Sequence, residues 1–177
     1  MQDWKDDKNW SDKFIPEIKK ILGEYLIAEP PPEEDMERNT DLTVLKLDAV
    51  RVGCRIRKYK YLEKYSDQFT IREGRPNGTK TELTKIIEGW GDYFFYGFSN
   101  QEESRLEQWI LGDLKKFRIY LIRNMAKNQG IMPGENRNNL DGSSSFRAFK
   151  YKDIPDFIIA KSQQKVNPLK IIIDESS

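Results

Sequence analysis

The chain has no histidine and a single cysteine, Cys54, in 177 residues. Without histidine there is no Ser–His or Cys–His nucleophile pair and no imidazole general base. One thiol and no imidazole also exclude an internal disulfide, ordinary structural zinc sites and most transition-metal sites. An unpaired thiol fits a reducing cytoplasm. Any chemistry is left to carboxylates, Lys and Arg, hydroxyls, or a hard cation such as Mg²⁺ held by oxygen ligands. No run of about 18 apolar residues occurs, so neither a membrane span nor a membrane partner is expected. The opening stretch MQDWKDDKNW is acidic and polar, unlike a signal peptide.

What the chain does contain is enough for a core: 37% hydrophobic and 12% aromatic residues. This length predicts one domain over 1–177, with its core at about 10–124, a mobile loop over 125–145 and a docking tail over 146–177. The net charge of +1 hides an asymmetry. Residues 1–37 carry eleven acids against five lysines, whereas residues 51–75 carry eight Lys or Arg against three acids.

Phe14, Ile18, Ile21, Leu22, Tyr25 and Leu26 fall at helical spacing and predict a first helix from Trp10 to Leu26, with Pro16 in its first turn. The acidic run AEPPPEEDMERN ends it. TDLTVLKL (40–47) and VRVGCRIRK (50–58) read as a hairpin about a tight turn, and DQFTIRE (67–73) as a third strand. Thr81 is placed to cap a short helix, ELTKIIEGW. DYFFYGF (92–98) reads as a central strand, with Trp90, Tyr93, Phe94, Phe95, Tyr96 and Phe98 in the core. Leu106, Trp109, Ile110, Leu114, Phe117, Tyr120 and Leu121 form one helical stripe, which predicts a long helix over 101–124.

In VRVGCRIRK, basic and apolar residues alternate. Arg51, Arg55 and Arg57 therefore share one face of a strand, and Cys54 points to the apolar side, where a small buried residue is expected. Continued by Lys58, Lys60 and Arg72, that face could grip a phosphate backbone; the plainer alternative is a solvated face with cross-strand ion pairs. Asp67 and Glu73 bound the third strand and are expected to be structural.

The predicted order, α–β–β–β–α–β with an extra C-terminal helix and a mixed sheet flanked by helices, is an α/β arrangement. With Asp41 opening the hairpin, it resembles the PD-(D/E)XK nuclease superfamily over roughly residues 10–100. The resemblance implies a Mg²⁺ or Mn²⁺ site at Asp41, with Glu24 as a helix acid, and places the second-strand motif on Gly53–Cys54–Arg55. There the second acid is missing and Arg55 stands where a lysine is expected. Arginine stays protonated and suits phosphate binding better than water activation. Glu82 and Lys85, one helical turn apart, would be a relocated acid and lysine if catalysis survives. The hairpin register decides the rest: a two-residue loop turns Asp41 away from Arg55, and a longer one puts it opposite Arg57.

Three functions are left open. The first is a nuclease-like fold that binds nucleic acid, DNA before RNA, with little or no catalysis and no cofactor. A chain of this kind is similar to small phage or mobile-element proteins that inhibit host defence, anti-CRISPR proteins among them. That similarity implies an RNA-guided host nuclease as partner, in the host cytoplasm. The second is an active Mg²⁺- or Mn²⁺-dependent DNA nuclease using Asp41, Arg55, Glu82 and Lys85. The third is a purely protein-binding module.

Overall fold

A computed structural model of the chain describes residues 9–28, 43–44, 50–76, 78–139, 142 and 144–162. Its architecture is α/β with a mixed sheet. The elements are α1 (Ile15–Leu26), β1 (Ile27–Ala28), β2 (Thr43–Val44), β3 (Val52–Arg57), α2 (Leu62–Tyr65), β4 (Gln68–Gly74), α3 (Glu82–Ile87), β5 (Tyr93–Ser99), β6 (Leu106–Asp113), α4 (Leu114–Lys127), β7 (Glu135–Asn138), β8 (Ser145–Lys150) and β9 (Ile158–Lys161). Four strands form the central sheet in the order β3-β5-β6-β9. β3 runs parallel to β5, while β5–β6 and β6–β9 are antiparallel. A second, antiparallel sheet has the order β4-β8-β7.

The central sheet is covered on both faces. On one, Phe14 and Ile18 bury against Ile56, Phe95, Leu106 and Leu111. Helix α1 is held there by its apolar stripe and by Glu17, whose carboxylate accepts the Leu106 N–H at 2.9 Å. On the other face, Phe94, Tyr96, Phe98 and Ile110 pack against the second sheet and against α3 and α4. Phe69, fully buried, stacks on Phe157 (ring centroids 4.8 Å apart) and on Phe149 (5.5 Å), and meets Phe117 edge-on.

Several expectations hold. The amphipathic α1, the Thr81 cap of α3 and the central β5 all form; Thr81 Oγ1 accepts the Thr84 N–H. Others are corrected. Among the described residues, strand β3 is not paired with the segment before it. Thr43–Val44 pair with Ile27–Ala28, and β3 lies along β5. The third predicted strand, β4, belongs to the second sheet.

The predicted helix over 101–124, the extra C-terminal helix of the expected core, is instead strand β6 followed by helix α4. Strand β6 is an interior strand covered on both faces, so its apolar residues do not alternate and imitate a helical stripe. The boundary is Asp113, whose side chain accepts the N–H groups of Lys115 (2.7 Å) and Lys116 (3.2 Å) as an N-cap. The expected loop over 125–145 contains β7, and the expected tail supplies β8 and β9. Cys54 is exposed rather than buried, because β3 is an edge strand among the described residues. No helix among the described residues is long and apolar enough to cross a membrane.

Gly112 marks where this packing is tightest. A Cβ there would fall 2.2 Å from Cζ of Phe157, whose fully buried ring is held by Phe69. Gly112→Ala is therefore expected to cost about 1–3 kcal/mol, read as a lower urea midpoint at unchanged m-value. An unshifted midpoint would show that the ring has room to move.

Candidate functional site

Strand β3 leaves its basic face open at its N-terminal end. There the strand, the end of β4 and helix α3 border an open pocket of about 490 Å³. Six cationic side chains line it: Arg51, Arg55, Arg72, Arg75, Lys80 and Lys85. One carboxylate, Glu82, lines it with them. The buried residues Ile86, Phe94 and Leu114 close its floor, and Val52, which packs toward the other face of the sheet, lines one edge. Gly53 also lines the pocket and keeps it open. A Cβ there would touch the Phe94 ring at 3.4 Å, an ordinary contact.

Glu82 ties three elements together. Its Oε2 accepts Arg55 Nη2 at 2.7 Å and the backbone N–H of Arg72 at 3.1 Å, so the start of α3 is fastened to β3 and β4. Lys80 pairs with Glu88 at 2.7 Å. Among the described residues, the side chains of Arg51, Arg75 and Lys85 pair with no carboxylate, so the pocket keeps a positive balance.

The rim carries Trp90, which is 58% exposed. It sits between Gly89 (φ +93°) and Gly91 (φ +80°), two left-handed positions that throw the indole outward. Arg118 braces this turn by donating to the carbonyls of Ile86 (3.4 Å) and Gly91 (3.2 Å). The Arg51 guanidinium lies 5.7 Å from the indole centroid. Arg51 is itself fixed where β3 meets β5. Its N–H donates to Asp92 Oδ2, and its carbonyl accepts the N–H groups of Asp92 and Tyr93.

The structure thus brings together Arg51, Arg55, Arg72, Glu82 and Lys85 from the predicted set. Arg57, Lys58 and Lys60 lie apart from them. Arg57 rests on the Tyr61 ring at 4.5 Å, and Lys60 reaches the same ring at 5.2 Å. Lys58 lies over Trp10 and faces Glu103 at 3.7 Å. The Glu103 carboxyl is held below its ordinary range by the hydrogen bond from the Trp10 indole and then by Lys58 and Lys13. Glu73 is structural: Arg147 grips it at 2.7 Å while also donating to the carbonyls of Met132, Pro133 and Gly134. Trp90, expected in the core, is at the rim. Arg75 and Lys80 join the site from outside the set expected from the sequence. Their signal is the basic turn REGRPNGTK, and that of Trp90 is the run GWG.

A divalent cation does not fit this pocket. Its one carboxylate is already taken by Arg55 and the Arg72 N–H, and five further cations line the walls. Among the described residues no group of three His, Cys, Asp or Glu could hold a metal ion. Asp41 lies outside the described residues, as does the Glu24 side chain. What the arrangement can do is bind a multiply charged anion against an apolar wall with an aromatic face at the mouth. The chain matches no known family model, no curated protein and no solved structure.

Proposed function

We propose that the protein binds nucleic acid through this pocket, gripping phosphate with its arginines and lysines rather than cutting the strand. The observation that carries the reading is the imbalance of six cationic side chains against one carboxylate in a single concavity. Phosphate contacts from Arg and Lys supply most sequence-independent affinity for nucleic acid, and guanidinium groups fit phosphate oxygens two at a time. Strand β3 serves as a platform for Arg51 and Arg55. Parallel pairing to β5 and the crossover through α3 bring Lys85 against it, and the end of β4 adds Arg72 and Arg75.

The test is anisotropy of labelled DNA over a salt series, with a parallel incubation in Mn²⁺. Retention at low salt is expected, with log K falling against log salt at a slope of roughly −2 to −3, as three or four phosphate contacts require. Salt-independent binding, or none, would remove the reading. Intact DNA after incubation is expected. Cleavage lost on Glu82→Gln would favour an active nuclease, since Arg55, Glu82 and Lys85 do converge on the pocket.

Glu82→Gln separates the readings in another way. It removes the only carboxylate among the described residues that line the pocket and releases Arg55, so DNA should bind about fivefold tighter at low salt, the effect of one charge near a surface. Stability should fall by about 1 kcal/mol, because the lost ion pair is partly exposed. Weaker binding would mean that Glu82 holds Arg55 in its productive place.

A further inference from the structure

We infer that the pocket seats one unpaired nucleotide, its base on Trp90 and its phosphate among Arg51, Arg75 and Lys85, so that the protein selects single-stranded nucleic acid over blunt duplex. This deepens the proposed function and rests on it. Three features of the pocket point the same way. First, it is a concavity and not a face. A volume of about 490 Å³ lies in the range that encloses one small ligand, and a duplex backbone lying across the opening would leave it unfilled. Second, its floor is closed by Phe94 and Leu114, buried core residues that offer nothing to a phosphate, so the cations stand on the walls and leave the floor to a sugar or the edge of a base.

Third, Trp90 is an exposed indole on a turn held from beneath by Arg118, with the Arg51 cation beside it. Every base has a π-face, so such a platform is tolerant of sequence, but a base inside a duplex is already stacked on its neighbours. Extruding it costs a few kcal/mol, which a single strand does not have to meet. The neighbouring chain also has somewhere to go. Arg75 is shared with a second hollow of about 400 Å³, lined also by Gly74, Pro76, Asn138, Gly142, Ser144 and Ser145, with no carboxylate among its lining residues. An adjoining nucleotide can lie there with its phosphate at Arg75.

The experiment compares a short labelled oligothymidylate with a blunt duplex of equal length, using the full chain at low salt. The oligothymidylate should bind at least about tenfold tighter and quench the Trp90 fluorescence. Trp90→Ala should weaken it about 5- to 100-fold, Trp90→Phe should nearly preserve it, and duplex binding should respond to neither change. Thymidine monophosphate should compete better than the same concentration of inorganic phosphate. Equal or tighter duplex binding, indifference to Trp90→Ala, or equal competition by bare phosphate would each overturn the inference while leaving nucleic-acid binding intact. Failure of both DNA forms to bind would remove the underlying reading as well.

Discussion

Replacing Arg51, Arg75 and Lys85 together with alanine is expected to lower the affinity for single-stranded DNA about a hundredfold or more and to leave the fold in place. These are the pocket cations whose side chains pair with no carboxylate among the described residues, so their charge is available to a ligand. Each charge-assisted contact to a phosphate is worth about 1–1.5 kcal/mol after solvent exposure is discounted, and three give about 3–4 kcal/mol. The salt slope should flatten by about 0.7 for each lost contact. The control is a change of Lys58 and Lys60 to alanine, which alters the charge of the chain almost as much. Lys58 is occupied by Glu103 and Trp10 and Lys60 lies over Tyr61, so little loss is expected. If the control weakens binding as much as the triple change, the DNA follows overall charge and not the pocket. Thermal midpoints should stay within a few degrees of the parent in both variants, because none of these side chains is part of the buried core.

The second large effect lies in the core. Phe69→Ala is expected to cost about 3–5 kcal/mol, a large share of the stability of a domain this size. Phe69 is fully buried and joins the second sheet to the central one through Phe94, Phe117, Phe149, Tyr151 and Phe157. Its ring cannot be replaced by small shifts, since each neighbour is itself held by others. Phe69→Leu, which keeps much of the volume, should recover part of the loss. Urea unfolding followed by fluorescence measures both. A cost below about 1 kcal/mol for the alanine variant would mean that the two sheets do not share a core. A milder consequence follows for the pocket, whose wall residues Phe94 and Leu114 belong to the same cluster. The alanine variant should lose DNA binding in step with its folded fraction and not before.

Much of this was legible locally. The stripe of Phe14 and Ile18, the Thr81 cap and the aromatic run of β5 each carry a short-range signal that burial or hydrogen bonding then realises. The alternation in β3 correctly put Arg51 and Arg55 on one face. The helix expected over 101–124 fails because an interior strand covered on both faces loses its period of two, while the N-cap at Asp113 marks where the true helix starts. The expected hairpin failed for a different reason. Two stretches that are neighbours in the chain need not pair with each other, and β3 takes the distant β5 as a parallel partner instead. The expected RNA-guided nuclease partner came from the size and character of the chain, and no residue of the pocket speaks to it.

By itself the amino-acid sequence determined which chemistries are closed to this protein, since no arrangement can supply an imidazole or a second thiol. It also determined where its positive charge is concentrated. Only the tertiary structure decided that Arg51 and Arg55 from one strand would meet Arg75 beyond another, Lys85 on a helix and Trp90 on a turn. Those residues come from separate elements, and it is the burial of Phe69, Phe94 and Leu114 in one core that holds them around a single cavity. Periodicity and capping act over a few residues, whereas the meeting of distant side chains is settled by how sheets and helices cover one another.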